Sequence, residues 1–300
     1  MTVGPEHDAP RPPAGDGFSD AMTVAFGDER ADVYGVARLG LADSGASGLA
    51  VVFHRGGPVA VRAEGGVDAG DRATWNDVSA AGIETEVVEP LRAWRLRFAS
   101  DEAALDLDLR AVGAVAELPA EHAVARAGGM TGFEQACRVT GTATVGGRRL
   151  SVDGRGQRGH SWGRPDWDRI SLARTVGAWL ADELTVSFAA IRPAGARDHE
   201  DEHVAATILE RDPESGADRA SLVVDPRLST TYDADGRQRT AGLELSGDED
   251  LPPRRAAGEV VCGTTLDLGR LRLDCAFFRW RMEGRSGIGR YDLLRRADGS

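Results

Sequence analysis

Residues 153–167 hold, in one short stretch, the side chains of this chain that are best suited to chemistry. They include one imidazole, His160, and two indoles, Trp162 and Trp167, beside three arginines, two aspartates and four glycines. A loop that only reverses the chain needs glycine, asparagine or proline, and has no use for indole and imidazole rings. Aromatic rings beside histidine, arginine and aspartate on a glycine-bent segment are typical of a pocket wall. We therefore expect a ligand site here.

His160 and Trp162 are spaced to act together. On an extended segment they project to the same face, because side chains alternate with a period of two. An imidazole beside an indole, facing into a β-barrel, could exchange a proton with an unsaturated or carbonyl ligand that is otherwise apolar. The residue types equally allow a structural role, in which the indoles pack and the histidine and arginines bond backbone carbonyls.

Two familiar motifs match by spacing alone. Gly154, Gly156 and Gly159 have the dinucleotide-binding pattern, but the residues that follow, His-Ser-Trp-Gly-Arg-Pro, cannot start the helix that would hold a pyrophosphate. We expect these to be bend glycines. His199 and His203 enclose a His-Glu-x-x-His match, which needs a helix to bring both rings to one metal. Its two variable positions are Asp and Glu, where a buried helix would have apolar residues, and Pro-Ala-Gly precedes it. These features predict a solvated hairpin loop and no metal site.

The composition limits the partners and the compartment. The net charge is −12 and all 36 basic residues are arginine, so nucleic acids and anionic membranes are disfavoured as partners. The three cysteines, Cys137, Cys262 and Cys275, are far apart and odd in number, which predicts reduced, buried thiols. With no basic-then-apolar leader and no apolar run approaching about 18 residues, we expect a soluble cytoplasmic protein.

Alternating apolar residues predict the fold class. Residues 83–88, 94–98 and 105–110 carry an apolar side chain at every second position, as antiparallel strands with one buried face do. Gly-Gly pairs at 56–57 and 146–147 separate strand-like runs, as in hairpins. About fourteen short strands with few helices predict an all-β protein of two antiparallel barrel or sandwich units.

The expected domain boundaries follow from composition. Residues 1–20 hold four of the 13 prolines and are predicted to be a disordered lead-in. The stretch 117–130 has no period and contains Pro119, Gly128 and Gly129, which indicates a boundary. We therefore expect one β domain over residues 21–118 and a second over 119–300, the second carrying the His-Ser-Trp-Gly loop.

Residues 152–167 resemble the signature G-x-G-x-R-D-H-S-W-G-x-R-x-W of bacterial proteins in the AttH-like, carotenoid 1,2-hydratase-like superfamily. Other matching parts extend the resemblance over about residues 30 to 295. They are Glu89-Pro90-Leu91-x-x-Trp94-x-Leu96-x-Phe98, Phe133-Glu134-Gln135 with Arg138-Val139-x-Gly141, and Gly284-Arg285-x-Gly287-x-Gly289-x-x-Asp292.

This resemblance implies a tandem of two lipocalin-like β-barrels with a ligand cavity lined from the second unit. In the hydratase branch, a histidine and a tryptophan of the signature help to protonate an isoprenoid double bond, so His160 and Trp162 would be the pocket pair. Trp162 could stabilise a carbocation through its π face. The chain departs from the signature at Gly159, where relatives have aspartate, and a distant carboxylate could replace it. The candidates are Asp166, Asp168 and Asp292.

The expected function is binding of an apolar small molecule of the terpenoid, steroid or fatty-acyl type. His160 would hydrate, isomerise or cyclise it by acid catalysis without a metal or organic cofactor. A non-catalytic ligand carrier and a structural or interaction module remain alternatives. The candidate catalytic residues are His160, Trp162, Asp166 and Asp292, and the candidate ligand-binding residues are Arg158, Arg164 and Trp167.

Overall fold

The computed structural model describes residues 3–70, 74–197, 201–212, 214–247 and 253–297. Within these residues the chain forms nineteen strands, one α-helix and two short 3₁₀-helices. The strands are β1 Ser19–Asp28, β2 Val33–Ala42, β3 Gly45–His54, β4 Gly57–Val67, β5 Ser79–Ala80, β6 Ile83–Glu89, β7 Ala93–Ala99, β8 Ala103–Leu118, β9 Met130–Val145, β10 Arg148–Gly163, β11 Ile170–Ala181, β12 Leu184–Pro193, β13 His203–Arg211, β14 Asp218–Leu222, β15 Asp225–Tyr232, β16 Gln238–Ser246, β17 Arg254–Leu268, β18 Leu271–Met282 and β19 Arg285–Arg296. The helices are α1 Ala123–Gly128 and the 3₁₀-helices Pro5–Asp8 and Trp75–Asp77.

The strands form two antiparallel sheets, which confirms the predicted all-β fold of two units. The first has the order β4-β3-β2-β1-β10-β9-β8-β7-β6-β5, and the second has the order β14-β13-β12-β11-β19-β18-β17-β16-β15. Each sheet curls on itself: β3 and β4 reach β5 in the first, and β13 reaches β15 in the second. The curl encloses an apolar core in each unit.

The division into units differs from the expected boundary at 118/119. One unit comprises residues 1–117 and 130–165, and the other comprises 118–129 and 166–300. The reason is strand pairing: β10 pairs along its length with β9 and, over Arg155 to Gly163, with β1. The stretch 117–130 is an excursion that contains α1, which packs on β12 and β13 of the second unit. The chain then returns to complete the first sheet, so residues 152–165 of the signature belong to the first unit, while Asp166 and Trp167 belong to the second.

Residues 152–163 of the signature form a strand and not a loop. They lie within β10, where Gly154 and Gly156 are extended and face the backbone of β1, and residues 164–167 follow the end of this strand. A Cβ atom would lie 2.3 Å from the Gly27 carbonyl oxygen at the first position and 2.4 Å from the Ala25 carbonyl oxygen at the second. These glycines therefore permit close approach of two strands, and the expectation that they bend the chain is wrong.

The amino-terminal segment also differs from its prediction. In the described residues 3–20, Pro5–Asp8 form a 3₁₀-helix whose His7 and Asp8 are buried, and β1 begins at Ser19. The proline content made this segment look disordered, because composition does not register which polar side chains find buried partners.

Burial follows the predicted alternation where that pattern was clear. In β7 and β8 the alternate residues Leu96, Phe98, Leu105 and Leu107 are buried in the first core. All three cysteines are free and buried, as predicted. Burial raises the pKa of the Cys137 thiol to about 12, so it is a packing group and not a nucleophile.

Two further observations concern membranes and metals. In the part of the chain that the structure describes, no helix is long and apolar enough to cross a membrane. The described residues also contain no cluster of three potential metal ligands. In the His-Glu-x-x-His match, His203 begins β13, whereas His199 and Glu200 lie outside the described residues.

Candidate functional site

Three side chains of the signature strand point into the first barrel. Arg158, His160 and Trp162 alternate along β10, so they share the face that carries Met22 on β1 and Phe133 on β9. Arg158 and His160 are fully buried and Trp162 is half-buried. The centroids of the His160 and Trp162 rings are 5.0 Å apart. The predicted pair is thus side by side and faces inward.

Both nitrogens of His160 are hydrogen-bonded to oxygen atoms. Nδ1 lies 2.6 Å from the backbone carbonyl oxygen of His7, and Nε2 lies 2.6 Å from Oδ1 of Asp20 on β1. A carbonyl oxygen can only accept, so Nδ1 carries a hydrogen and donates it. Nε2 and the carboxyl group then share one further proton, which either side can carry. His160 and Asp20 therefore form a buried hydrogen-bonded pair in which the orientation of the ring is fixed.

Asp20 is not among the carboxylates that were predicted from the sequence to act with His160. Asp166 is exposed, and its carboxylate accepts a hydrogen bond from the backbone amide of Asp168. Asp292 accepts a hydrogen bond of 2.5 Å from Nε–H of Arg290. All of these residues belong to the second unit, whereas His160 belongs to the first. The partner is Asp20, which is 140 positions from His160 in the sequence.

The sequence held one signal for Asp20. Asp20, Met22, Val24 and Phe26 occupy alternate positions of β1, and all four are buried. That period predicts a strand with the aspartate on its inward face. The proline-rich composition before it concealed the pattern.

The glycine at position 159, where the signature has aspartate, does not weaken the His160–Asp20 pair. Gly159 alternates with His160, so a side chain there would point to the opposite face of β10. A Cβ atom at this position would make an ordinary contact, 3.5 Å from Cγ of Glu134. An aspartate at position 159 would therefore fit the strand, but it would not reach the His160 ring from its neighbouring position.

Aromatic rings surround the imidazole. Trp75 meets it edge-on with centroids 5.6 Å apart and planes at 88°, and Phe133 does so at 5.9 Å and 77°. Trp75 is fully buried at the start of its 3₁₀-helix, where Thr74 caps the Asn76 amide. These walls exclude water from the ring and strengthen its hydrogen bonds.

Arg158 is a buried cation held between two rings. Its guanidinium carbon lies 4.8 Å from the Trp94 centroid and 5.0 Å from the Phe133 centroid, and it forms an ion pair with Asp8. Burial lowers the pKa of Arg158 to about 9, which still leaves it charged at neutral pH. The Asp8 carboxylate balances that charge, and its Oδ2 also accepts the Leu91 amide at 2.6 Å and the Trp94 indole N–H at 3.0 Å.

Residues 4–11, which we call the N-terminal strap, make three polar contacts with this cluster. The His7 carbonyl bonds His160, the Asp8 carboxylate bonds Arg158, and the Arg11 amide donates to Oδ2 of Asp20 at 2.6 Å. The Arg11 guanidinium also lies 4.2 Å from the Trp162 ring centroid.

Several buried polar atoms near His160 have no hydrogen-bond partner. Among the described residues, these are the donors Nε and Nη1 of Arg158, Nε and Nη2 of Arg11 and Nε1 of Trp75, and the acceptors Oδ1 of Asp8 and Oε1 of Gln135. Unpaired buried donors are costly, so a molecule that binds here gains by presenting oxygen acceptors.

The remaining predicted residues lie outside this cluster. Arg164 is exposed and approaches Gly15, while Trp167 is half-buried in the second unit. A cavity of about 410 Å³ in the second unit is lined by Asp233, Arg237, Gln238, Arg239, Val260, Val261, Cys262, Gly263, Thr264, Cys275 and Ala276. Its lining has no imidazole, and burial raises the pKa of the Cys275 thiol well above its usual value. None of the site residues predicted from the sequence lines this cavity.

Comparison with known proteins gives a family and a fold. A family model described as "Domain of unknown function (DUF7064)" matches residues 4–296. No curated protein matches the sequence significantly. The AttH-type protein NE1406 of Nitrosomonas europaea is similar in structure, with a TM-score of 0.69, 13% identity and coverage of 94% of this chain and 93% of that one.

Two other solved structures share the fold. Kievitone hydratase of Nectria haematococca has a TM-score of 0.63 at 14% identity, covering 98% of this chain and 93% of that one. CghA with Sch210972 has a TM-score of 0.64 at 14% identity, covering 95% and 90%. At this level of identity the likeness concerns the fold, and it confirms the resemblance to the AttH-like and hydratase-like proteins in that respect.

Proposed function

We propose that this chain, which belongs to the DUF7064 family, binds an apolar small molecule beside His160 in its first unit and moves a proton on that molecule. The reaction class is hydration, isomerisation or cyclisation. The observation that carries the proposal is the buried His160–Asp20 pair, joined at 2.6 Å and walled by aromatic rings.

The residues have distinct roles in this proposal. His160 delivers the proton to a double bond or carbonyl oxygen, and Asp20 orients the ring and balances its positive charge. Delivery of a proton to an alkene leaves a carbocation, which the π faces of Trp162 and Trp75 stabilise. Addition of water then gives a hydrate, loss of a neighbouring proton gives an isomer, and attack by a second double bond gives a ring.

The names of two structural neighbours support this choice of chemistry. Kievitone hydratase is by name a hydratase, and CghA was solved with the small molecule Sch210972. The barrel that these proteins share with this chain is thus compatible with both a hydration reaction and ligand binding, although the residues of each site are its own.

One observation favours a second candidate, a non-catalytic carrier. Both nitrogens of His160 are already bonded, to His7 and Asp20, so neither is free to touch a ligand unless one bond is exchanged. A carrier would keep both bonds throughout and use the ring only as a wall.

The test first identifies the ligand and then measures the effect of replacing His160 on its turnover. The protein is incubated with a lipid extract, and the molecules that co-purify are identified by mass spectrometry and then followed for turnover. His160→Ala is expected to lower turnover by about 10²–10⁴-fold, the usual contribution of a general acid. His54→Ala is the matched control, because His54 also bonds a backbone carbonyl in the first unit, through Nδ1 at 3.0 Å from Asp32. Full turnover by His160→Ala would falsify the acid–base assignment, and bound ligand without turnover in the wild type would identify a carrier.

A further inference from the structure

The N-terminal strap occupies the polar atoms that a ligand of the first barrel would use. Its three contacts engage Nδ1 of His160, Nη2 of Arg158 and Oδ2 of Asp20. The strap continues into residues 12–17, which are exposed and contain two prolines and two glycines without regular structure. The strap is thus a short helical turn on an exposed tether, held over the site by polar contacts with buried partners.

Three donors of the barrel converge on the Asp8 carboxylate. They are the Leu91 amide, the Trp94 indole N–H and the Arg158 guanidinium, and we call them the carboxylate receptor. None belongs to the strap: Leu91 follows β6, Trp94 lies on β7 and Arg158 lies on β10. The receptor is therefore built by the barrel, and charge-assisted bonds of this kind suit a carboxylate.

The receptor is also pre-formed at some energetic cost. Leu91 has a φ of +60°, a left-handed conformation that is unfavourable for a side chain with a Cβ atom and that directs its amide at Asp8. Arg158 is fixed between the Trp94 and Phe133 rings. The backbone amide of Leu91 and the guanidinium of Arg158 are therefore both held in place by parts of the barrel and not by the strap.

Asp8 fills this receptor incompletely. Nε and Nη1 of Arg158 are buried without a hydrogen-bond partner among the described residues, although a guanidinium can bind a carboxylate through two nitrogens. A free carboxylate that paired with the fork of Arg158 would satisfy more donors than Asp8 does. It would also keep the buried charge balanced, which a neutral head group cannot do.

We propose that the carboxylate receptor binds the carboxylate of the protein's ligand, and that Asp8 is its internal occupant in the resting state. This inference rests on the proposed function and names its ligand class, an apolar carboxylic acid. The incoming carboxylate displaces Asp8, and with it the strap. His160 Nδ1 loses the His7 carbonyl, and Asp20 loses the Arg11 amide. The His160–Asp20 pair therefore becomes accessible to the ligand only after the acid has bound.

The test compares an acid with its neutral ester. Binding of 11-(dansylamino)undecanoic acid and of its methyl ester is measured by fluorescence titration with the full chain. The wild type is expected to prefer the acid. Asp8→Asn removes the internal competitor and is expected to strengthen binding of the acid by about tenfold, with no gain for the ester. Asp8→Asn combined with Arg158→Met is expected to abolish the preference.

The matched control is Asp28→Asn. Asp28 is a second buried aspartate of the first unit, whose carboxylate accepts the amides of Arg30, Ala31 and Asp153. Its substitution disturbs a buried carboxylate of similar bonding without touching the receptor, so the preference for the acid should be unchanged.

Hydrogen exchange on the wild type provides a measurement that does not depend on a variant folding. The acid is expected to speed exchange of the Arg11 amide, because the strap leaves Asp20. The Leu91 amide should stay protected, because the ligand carboxylate replaces Asp8. The ester is expected to leave both unchanged.

Two results would overturn the inference in distinguishable ways. Equal binding of acid and ester in the wild type and in Asp8→Asn, with the Arg11 amide protected throughout, would remove the carboxylate receptor and leave the proposed apolar site standing. Binding of neither probe to any variant would contradict the proposed function itself, and the inference with it.

Discussion

Replacement of Asp20 separates the chemical role of the His160–Asp20 pair from its structural role. The carboxylate accepts two bonds at 2.6 Å, one shared with His160 and one from the Arg11 amide, and it is 1% exposed. A hydrogen bond to a charged group contributes about 1.5–3 kcal/mol. Asp20→Ala removes both, so the free energy of unfolding should fall by about 3–6 kcal/mol.

Asp20→Asn should behave differently. Its amide oxygen can accept the Arg11 amide, and its NH₂ group can donate to Nε2 of His160 when that nitrogen carries no hydrogen. Both bonds survive without charge, so stability should fall by only about 1–2 kcal/mol. Nε2 then carries no hydrogen, so the ring is held as a neutral imidazole, whose remaining Nδ1–H is too weak an acid to protonate a double bond, and turnover should drop by about 10²–10⁴-fold.

Three measurements check this reasoning. Calorimetry gives the stability order wild type, Asp20→Asn, Asp20→Ala; turnover is measured on the ligand identified by mass spectrometry; and ¹⁵N spectra of the imidazole report whether Nε2 is protonated. Asp28→Asn serves as the control that loses stability without losing turnover. Unchanged turnover in Asp20→Asn, or an Nε2 signal identical to that of the wild type, would refute the idea that the pair holds a working proton.

Two further predictions concern the strands around the site and the charges of the second unit. Gly156→Ala should destabilise the first unit by about 2 kcal/mol or more, because the new Cβ atom would lie 2.4 Å from the Ala25 carbonyl oxygen. Gly159→Ala is the control, because its new Cβ atom would lie 3.5 Å from its nearest neighbour, and it should cost less than about 1 kcal/mol. Thermal unfolding measures both changes. The Arg254 guanidinium lowers the pKa of Glu283 below 4.5, so this pair contributes stability above that pH and loses it as the pH falls through the lowered value. Glu283→Gln should therefore flatten the acid limb of a stability-against-pH curve, and an unchanged limb would show that solvent screens the pair completely.

The sequence predicted what depends on local periodicity. Alternation identified β6, β7 and β8, and the spacing of two placed His160 and Trp162 on one face of a strand. These features follow from the pleat of a single strand and need no knowledge of its neighbours. The all-β class follows for the same reason.

What the sequence did not predict depends on pairing between distant segments. Asp20 and His160 meet because β1 pairs with β10, and no local pattern sets that pairing. Asp166 was the obvious carboxylate because it is near His160 in the chain, yet it belongs to the other unit. The role of Asp8 was not predicted for a related reason. Its three donors come from Leu91, Trp94 and Arg158, which are distant in the sequence, so its own proline-rich surroundings gave no sign of these contacts.

The return of the chain to its first sheet has a consequence for biosynthesis. Until residues 130–163 leave the ribosome, strands β1–β4 and β5–β8 have no β9 and β10 to join them, and both β1 and β8 present open edges. At ordinary rates of translation this half-made state lasts on the order of a few seconds. Open edges of that kind favour pairing with other nascent chains, so the first eight strands are expected to need chaperone protection until β9 and β10 have been synthesised.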